Sequence, residues 1–253
     1  MKKILISLFV AGLLFGATTT QAQYRKQSME DRFFNKDISG AALLQVGYRQ
    51  TDLSQLNGFL ANNGIPAISD NNYWINAAMQ KTYKKWVNEH GIGFSLPNSS
   101  EANGIKARYS QAALFARTGY NLSNRSDIQL YPFAGINLNL AMFNIKDKTG
   151  IESVSNFSQE ILNKTSSKTF YQTKFGIDLG MGFDYLIKVK SKELEHATIE
   201  RSIPLGLRLG YHIGVAQSDF KVDGHELANG PSDKNSAFFA TASFGLGYHI
   251  VKK

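Results

Sequence analysis

Residues 170–185 read FYQTKFGIDLGMGFDY. Taken at every second position they place Tyr171, Thr173, Phe175, Ile177, Leu179, Met181, Phe183 and Tyr185 on one side. Gln172, Lys174, Gly176, Asp178, Gly180, Gly182 and Asp184 fall on the other. Successive side chains of a strand point to opposite faces, so this stretch predicts a strand with one apolar and one polar row. The pattern returns twice. Residues 203–217 set Ile203, Leu205, Leu207, Leu209, Tyr211, Ile213 and Val215 against Gly206, Arg208, Gly210, His212 and Gly214. Residues 238–250 set Phe238, Ala240, Ala242, Phe244, Leu246 and Tyr248 against Thr241, Ser243, Gly245, Gly247 and His249.

Strands of this length exceed the usual five or six residues of a globular sheet and reach the roughly ten that a tilted strand needs to cross a bilayer. The second row decides the environment. Gly weakens a strand and packs nothing, so a row of Gly punctuated by single charges is a poor water-facing surface. It suits the interior of a narrow barrel, where small residues leave room for a few large polar ones. The expected fold is all-β, a closed antiparallel up-and-down barrel of about eight strands with its apolar rows facing lipid. Ile136, Leu138, Phe175, Ile177, Leu179, Leu205, Leu207, Leu209, Phe244 and Leu246 are the expected lipid-facing residues. An inverted build, a soluble lipocalin-like carrier with the apolar rows inside, shares the alternation; the Gly-rich second row argues against it.

The chain opens MKKILISLFVAGLLFGATTTQAQ, with Lys2 and Lys3, an apolar run over residues 4–17 and a small-x-small site at Thr20-Gln21-Ala22. This predicts a secretory signal peptide over 1–22, too short in its apolar part for a transmembrane helix. Residues 23–37, QYRKQSMEDRFFNKD, read as a polar lead-in, and 38–253 as the barrel. The absence of cysteine excludes disulfide scaffolds, thiolate metal sites and cysteine nucleophiles. Removing Lys2 and Lys3 lowers the formal charge from +8 to +6, with 26 basic residues left against 20 acidic. That excess is scattered, with no arginine-rich patch, and points away from nucleic acid.

Strands are expected at about 38–50, 72–82, 87–96, 106–120, 128–143, 170–185, 203–217 and 238–250. Leu53, Leu56 and Leu60, followed by Gly64, predict a short amphipathic helix in the first connection. Residues 97–104 read as a loop. The fourth strand is ambiguous, because Ala112, Leu114 and Ala116 compete with Tyr109, Ala113 and Phe115 for the outer face. Residues 187–201, charged and briefly helical by pattern, make a longer connection than the alternation of long and short loops calls for. Trp86, Tyr120, Tyr131, Tyr185 and Tyr248 gather toward one rim and Tyr48, Tyr73, Tyr109 and Tyr171 toward the other, as interfacial girdles would.

The signal ending in QAQ, the stretch VGYRQTDLSQLNGFLANNGIPAIS, the strand YPFAGINLNL and the Gly-rich last strand AFFATASFGLGYHI together resemble the small outer-membrane β-barrel proteins of Gram-negative bacteria. The resemblance implies export to the cell outer membrane, lipid and the barrel-insertion machinery as partners, and no cofactor. Such barrels usually end on an aromatic used in insertion. This chain ends Tyr248-His249-Ile250-Val251-Lys252-Lys253; if the insertion signal is strict that role falls to Tyr248, and otherwise the protein is handled differently.

Five histidines are present. His212 and His249 lie on inward rows with Asp178 and Asp184, a set that in principle could form an acid/base or metal cluster. An eight-stranded barrel has an interior just wide enough to be filled by side chains, and buried charges must be paired. Glu89, Arg117, Lys174, Asp178, Asp184, Arg208, His212 and His249 are therefore expected to form a polar lumen network rather than a catalytic or metal site. Nucleotide-binding, HExxH and GxSxG motifs are absent. His90 with Ser95 or Ser110 is the sole candidate pair for lipid A chemistry, and Asp219, Asp223 and Glu226 read as solvated loop charges. The sequence thus predicts a non-enzymatic barrel serving the envelope or a surface contact through its outer loops, with a narrow transport barrel as the alternative.

Overall fold

The structure, a computed structural model, describes residues 38–147, 167–193, 197–228, 230–232 and 236–252. The expected leader and lead-in, and most of the long segment before residue 168, lie outside them. In chain order the elements are β1 (Ile38–Gln50), α1 (Ser54–Asn62), β2 (Asn71–Tyr83), β3 (Trp86–Ser95), β4 (Asn98–Ala102), β5 (Ile105–Tyr120), β6 (Ile128–Asp147), β7 (Ser167–Glu193), β8 (Ala197–Gln217), β9 (Lys221–Val222), β10 (His225–Glu226) and β11 (Ala237–Lys252).

All pairings are antiparallel. β1 pairs with β2 on one side and β11 on the other, and the ladder continues from β11 through β8, β7, β6, β5 and β3 back to β2. The sheet closes into an eight-staved barrel, in which β3 and β4 form one stave interrupted at Leu96-Pro97. Pro97 has no N–H to give the ladder, which accounts for the break. The expected loop at 97–104 is in fact β4 and its two-residue turn into β5, Asn103-Gly104, with φ of 51° and 74°. Both positions need positive φ, and Asn-Gly is the pair that adopts it most readily.

Within the 187–201 segment, residues 187–193 and 197–201 are strand, not a long or helical connection. Ile187 pairs with Ile203 and Glu193 with Thr198, so β7 and β8 run on past the body of the barrel. Ile187, Val189 and Ile203 keep the outward apolar alternation through the charged residues, and each stave supplies the other's ladder partners. With that correction the described long connections, carrying α1 and β9–β10, lie at one end of the barrel, here the loop end. The start of β1, the end of β11 and the described short connections share the other, the turn end.

The outward rows form an apolar belt. Ile136, Leu138, Ile177, Leu179, Leu205, Leu207, Leu209, Phe244 and Leu246 are exposed, and Phe175, beside a register shift at Gly176, is half-buried. Tyr73 and Tyr83 sit ten residues apart at opposite ends of β2. That is about 34 Å along a strand, or roughly 26 Å of height at a tilt of about 40°, the height of a transmembrane belt. Trp86 and Tyr120 pack edge to face at 5.4 Å between centroids on the turn-end rim, and Tyr48 lies 5.9 Å from Tyr73 on the other. Tyr109 and Tyr131, expected in the girdles, point inward and are buried.

The inward glycines are spacers. A Cβ on Gly182 would overlap the Tyr131 ring, one on Gly91 the Phe115 ring, and one on Gly206 the Asp184 carboxylate, the Arg208 guanidinium and the Ser243 hydroxyl. At the loop end the interior turns apolar. Leu53, Leu56 and Leu60 bring α1 onto Ile65, Ile68, Ala107, Tyr109, Ala141, Phe143 and Phe220. Asn57 clamps the helix to the returning chain, donating from Nδ2 to the Ile68 carbonyl at 3.0 Å and accepting the Ile68 N–H at 2.8 Å. Gly64, at φ 69°, ends the turn that follows.

Candidate functional site

The interior of the turn-end half holds a belt of ion pairs. Glu89 on β3 stands directly across from Arg117 on β5, and Asp178 on β7 directly across from His212 on β8, so register alone makes two of the contacts. Arg117 bridges Glu89, at 3.2 Å, and Asp178, at 2.9 Å. Arg208, on β8, reaches across the lumen to Glu89 at 3.0 Å and forks onto Asp184 of β7. His212 Nδ1 lies 2.7 Å from Asp178. Asp184 also accepts from Gln80 and from the Tyr131 hydroxyl, each at 2.9 Å. With the Asn137 amide donating to Asp178 at 3.3 Å, the carboxylates meet two guanidiniums, an imidazole, two amides and a phenol, and Glu89 is only 3% exposed. Charges out of water persist only when paired and hydrogen-bonded to this degree.

Aromatic rings brace the belt. The Arg117 guanidinium lies 4.5 Å from the Phe115 ring centroid, 5.0 Å from Phe239 and 5.5 Å from Phe133, and Arg49 sits 5.0 Å from Trp74. Such faces attract cations, more so where water is excluded. Cavities against the belt measure about 10 and 20 Å³. Each is room for about one water and for no solute.

Of the residues expected in the network, Glu89, Arg117, Asp178, Asp184, Arg208 and His212 lie together. Lys174 is buried on the same row of β7, nearer the loop end. His249 stands apart at the turn-end rim, its Nδ1 3.5 Å from Glu200. Gln80, Tyr131, Arg49 and the inward Phe115, Phe133 and Phe239 complete the interior and were not singled out from sequence. Their parity was the available signal, since each falls on the inward row of its strand.

His90 faces outward at mid-strand, whereas Ser95 faces inward and accepts the Gln111 N–H at 2.7 Å. The pair is split between the two sides of the wall. Ser110 lies on the far part of β5, since His90 registers with Ala116. No group of three or more His, Cys, Asp or Glu able to hold a metal occurs among the described residues. In the connections, Asp223 begins the Asp-Gly turn between β9 and β10, at φ 47°, and Glu226 pairs with Lys221 at 3.1 Å on the surface.

Two larger spaces flank the belt. A turn-end vestibule of about 550 Å³ is rimmed by Lys84, Lys85, Arg125, Lys188 and Arg201, with Glu200 and His249. There the Arg125 guanidinium donates to Asp127 at 3.1 and 2.9 Å and holds that carboxyl below the usual carboxylate range, while Arg125 itself is raised. A loop-end chamber of about 540 Å³ is lined mainly by apolar side chains of α1, β5, β6, β7 and the β9–β10 connection. Just before β2, burial raises the Asp70 carboxyl, with Asp52 adding to the effect.

The fold and its two-faced wall define a membrane-spanning barrel of eight staves with a closed interior. No family model and no curated protein matches the chain. Among solved structures it is similar to Neisserial surface protein A, 12% identical over 85% of this chain and 97% of that one, with a TM-score of 0.34. It is similar also to Ail, the attachment invasion locus protein of Yersinia pestis, crystallised with the heparin analogue sucrose octasulfate (11%, 85% and 98%, TM-score 0.34). A third is the outer membrane protein OprG of Pseudomonas aeruginosa (12%, 85% and 95%, TM-score 0.29). These are small outer-membrane barrels; at such scores the assignment of the fold rests on this chain's own strand pairing.

Proposed function

We propose that this chain is an integral outer-membrane barrel that does not conduct, and that it serves as a rigid, lipid-anchored mount for a loop-end surface. The observation that supports this best is the belt: Arg117 and Arg208 tie β5 and β8 to carboxylates on β3 and β7 and leave no solute-sized passage beside them. The function then resides in α1, the β4–β5 hairpin and β9–β10, with lipid and the insertion machinery as obligatory partners and Tyr248, outward and exposed, as the insertion aromatic. Among the described residues the charges of the belt are paired and none stands as an activated nucleophile, which supports a non-enzymatic reading.

The test combines localisation with conductance. Mature protein should fractionate with outer membranes and migrate differently on gels with and without boiling, and in planar bilayers it should give no discrete conductance steps. Stable steps that disappear when Arg208 is changed would instead support the narrow-transport reading. A soluble protein without a gel shift would overturn the membrane assignment.

A further inference from the structure

We propose that the loop-end chamber is a binding site for a single-chain anionic amphiphile, a molecule with an aliphatic tail and one carboxylate head. The inference rests on the membrane reading above, which makes this end the outer one. Ile105, Phe143, Ile145, Phe170 and Phe220 wall the chamber, and Phe59 and Leu60 of α1 cover one side. At about 540 Å³ it falls within the size range of small-molecule sites, and like them it is mostly apolar with few polar groups. Its walls are built rather than incidental: Phe143 and Phe220 are buried, and the Phe143 and Phe170 rings stack at 5.7 Å.

The polar groups at its edge select the head. Asn63, Asp147 and Lys168 line the chamber. Asp147 already has an interaction, whereas the exposed Lys168 ammonium has no ion-pair partner among the described residues. The Lys168 ammonium thus stands beside an apolar wall, with the already engaged Asp147 on the same rim. A tail laid against Ile105, Ile145 and Phe220 would bring a carboxylate head to Lys168. Deeper entry is blocked, because Leu53 and Leu56 seal α1 onto Tyr109 and Ala107. The site is a blind cup and leads to no channel.

The experiment uses mature protein in lipid nanodiscs with labelled isoleucine methyls, titrated with sodium dodecanoate and, separately, with dodecanol. Saturable shifts are expected at Ile65, Ile105 and Ile145, while the outward Ile75, Ile136 and Ile213 move no more than in bulk partitioning. Lys168→Ala should weaken dodecanoate roughly two- to fivefold, the range of an exposed ion pair, and leave dodecanol unchanged. Ala228→Trp should fill the cup and abolish both, with the boiling-dependent gel shift reporting that the barrel still forms. Equal shifts on both isoleucine sets, no shifts, or ligand-free contacts from the 148–166 connection to Ile105 and Phe220 would each overturn the site. Loss of lipid contacts at Ile75, Ile136 and Ile213 would signal instead that the membrane reading itself is wrong.

Discussion

Replacing Glu89 with alanine removes the one carboxylate shared by both belt arginines. Its oxygens lie 3.2 Å from Arg117 and 3.0 Å from Arg208, and the side chain is buried. A hydrogen bond to a charged group contributes about 1.5–3 kcal/mol, and removing one member of a buried ion pair costs about 3–5 kcal/mol. Neither arginine is stranded, because Arg117 keeps Asp178 and Arg208 keeps Asp184. The expected loss is therefore at the low end, about 3 kcal/mol. Urea unfolding from lipid vesicles, followed by tryptophan fluorescence, measures it; Trp74 faces inward and Trp86 outward, so both environments report. Glu200→Ala is the control, since its contact with His249 is long and its side chain well exposed, and it should cost less than about 1 kcal/mol. A loss below about 1 kcal/mol for Glu89→Ala, with an unchanged denaturant slope, would refute the view that this belt holds the staves together.

Leu179→Arg, in the middle of the outward row of β7, should cost about 2–4 kcal/mol in vesicles, whereas the same change at the exposed turn-end Leu122 should cost little; equal costs would count against a lipid-facing wall. Leu60→Ala should loosen α1, raising its susceptibility to protease while the barrel keeps its gel mobility, because large-to-small changes at such buried sites cost about 2–5 kcal/mol and this one is confined to the cap. Asp127 should titrate below the ordinary carboxylate range by carbon NMR, and Arg125→Ala should return it upward. Because the folded value is the lower one, whatever the pair contributes is present above the ordinary range and lost as pH falls through the lowered value; an unmoved midpoint in the variant would exclude the pairing.

The wall was legible because lipid and lumen impose a period of two on the whole length of a stave. On β8 every residue from Leu205 to His212 follows it, and α1 announced itself through Leu53, Leu56, Leu60 and Gly64. β5 resisted because its inward row is itself partly apolar: Ala113 and Phe115 oppose Ala112 and Leu114, so hydropathy has no contrast to read. What settles that strand is its neighbour, where Gly91 leaves the space that Phe115 fills. Parity gives the face but not the height. His249 shares the inward parity of Thr241 and Ser243 yet registers with Glu200 at the rim, far from Asp178, and only strand pairing supplies that coordinate. The charged 187–201 stretch misled for a related reason, since beyond the lipid belt a ladder persists on cross-strand partners that no single strand displays.

The pairing of β1 with β11, from Ile38 opposite Ile250 to Arg49 opposite Phe239, joins the first and last described strands. Every other barrel seam can zip up from a local connection, but this one must wait until nearly the whole polypeptide is in place. Loop closure over such separations is entropically costly and slow, and until it happens two long apolar strands stand with open edges. Assembly is thus all or nothing at its last step. A chain that loses its final stave leaves β1 and β8 unmatched, so truncation there yields an adhesive intermediate rather than a smaller barrel.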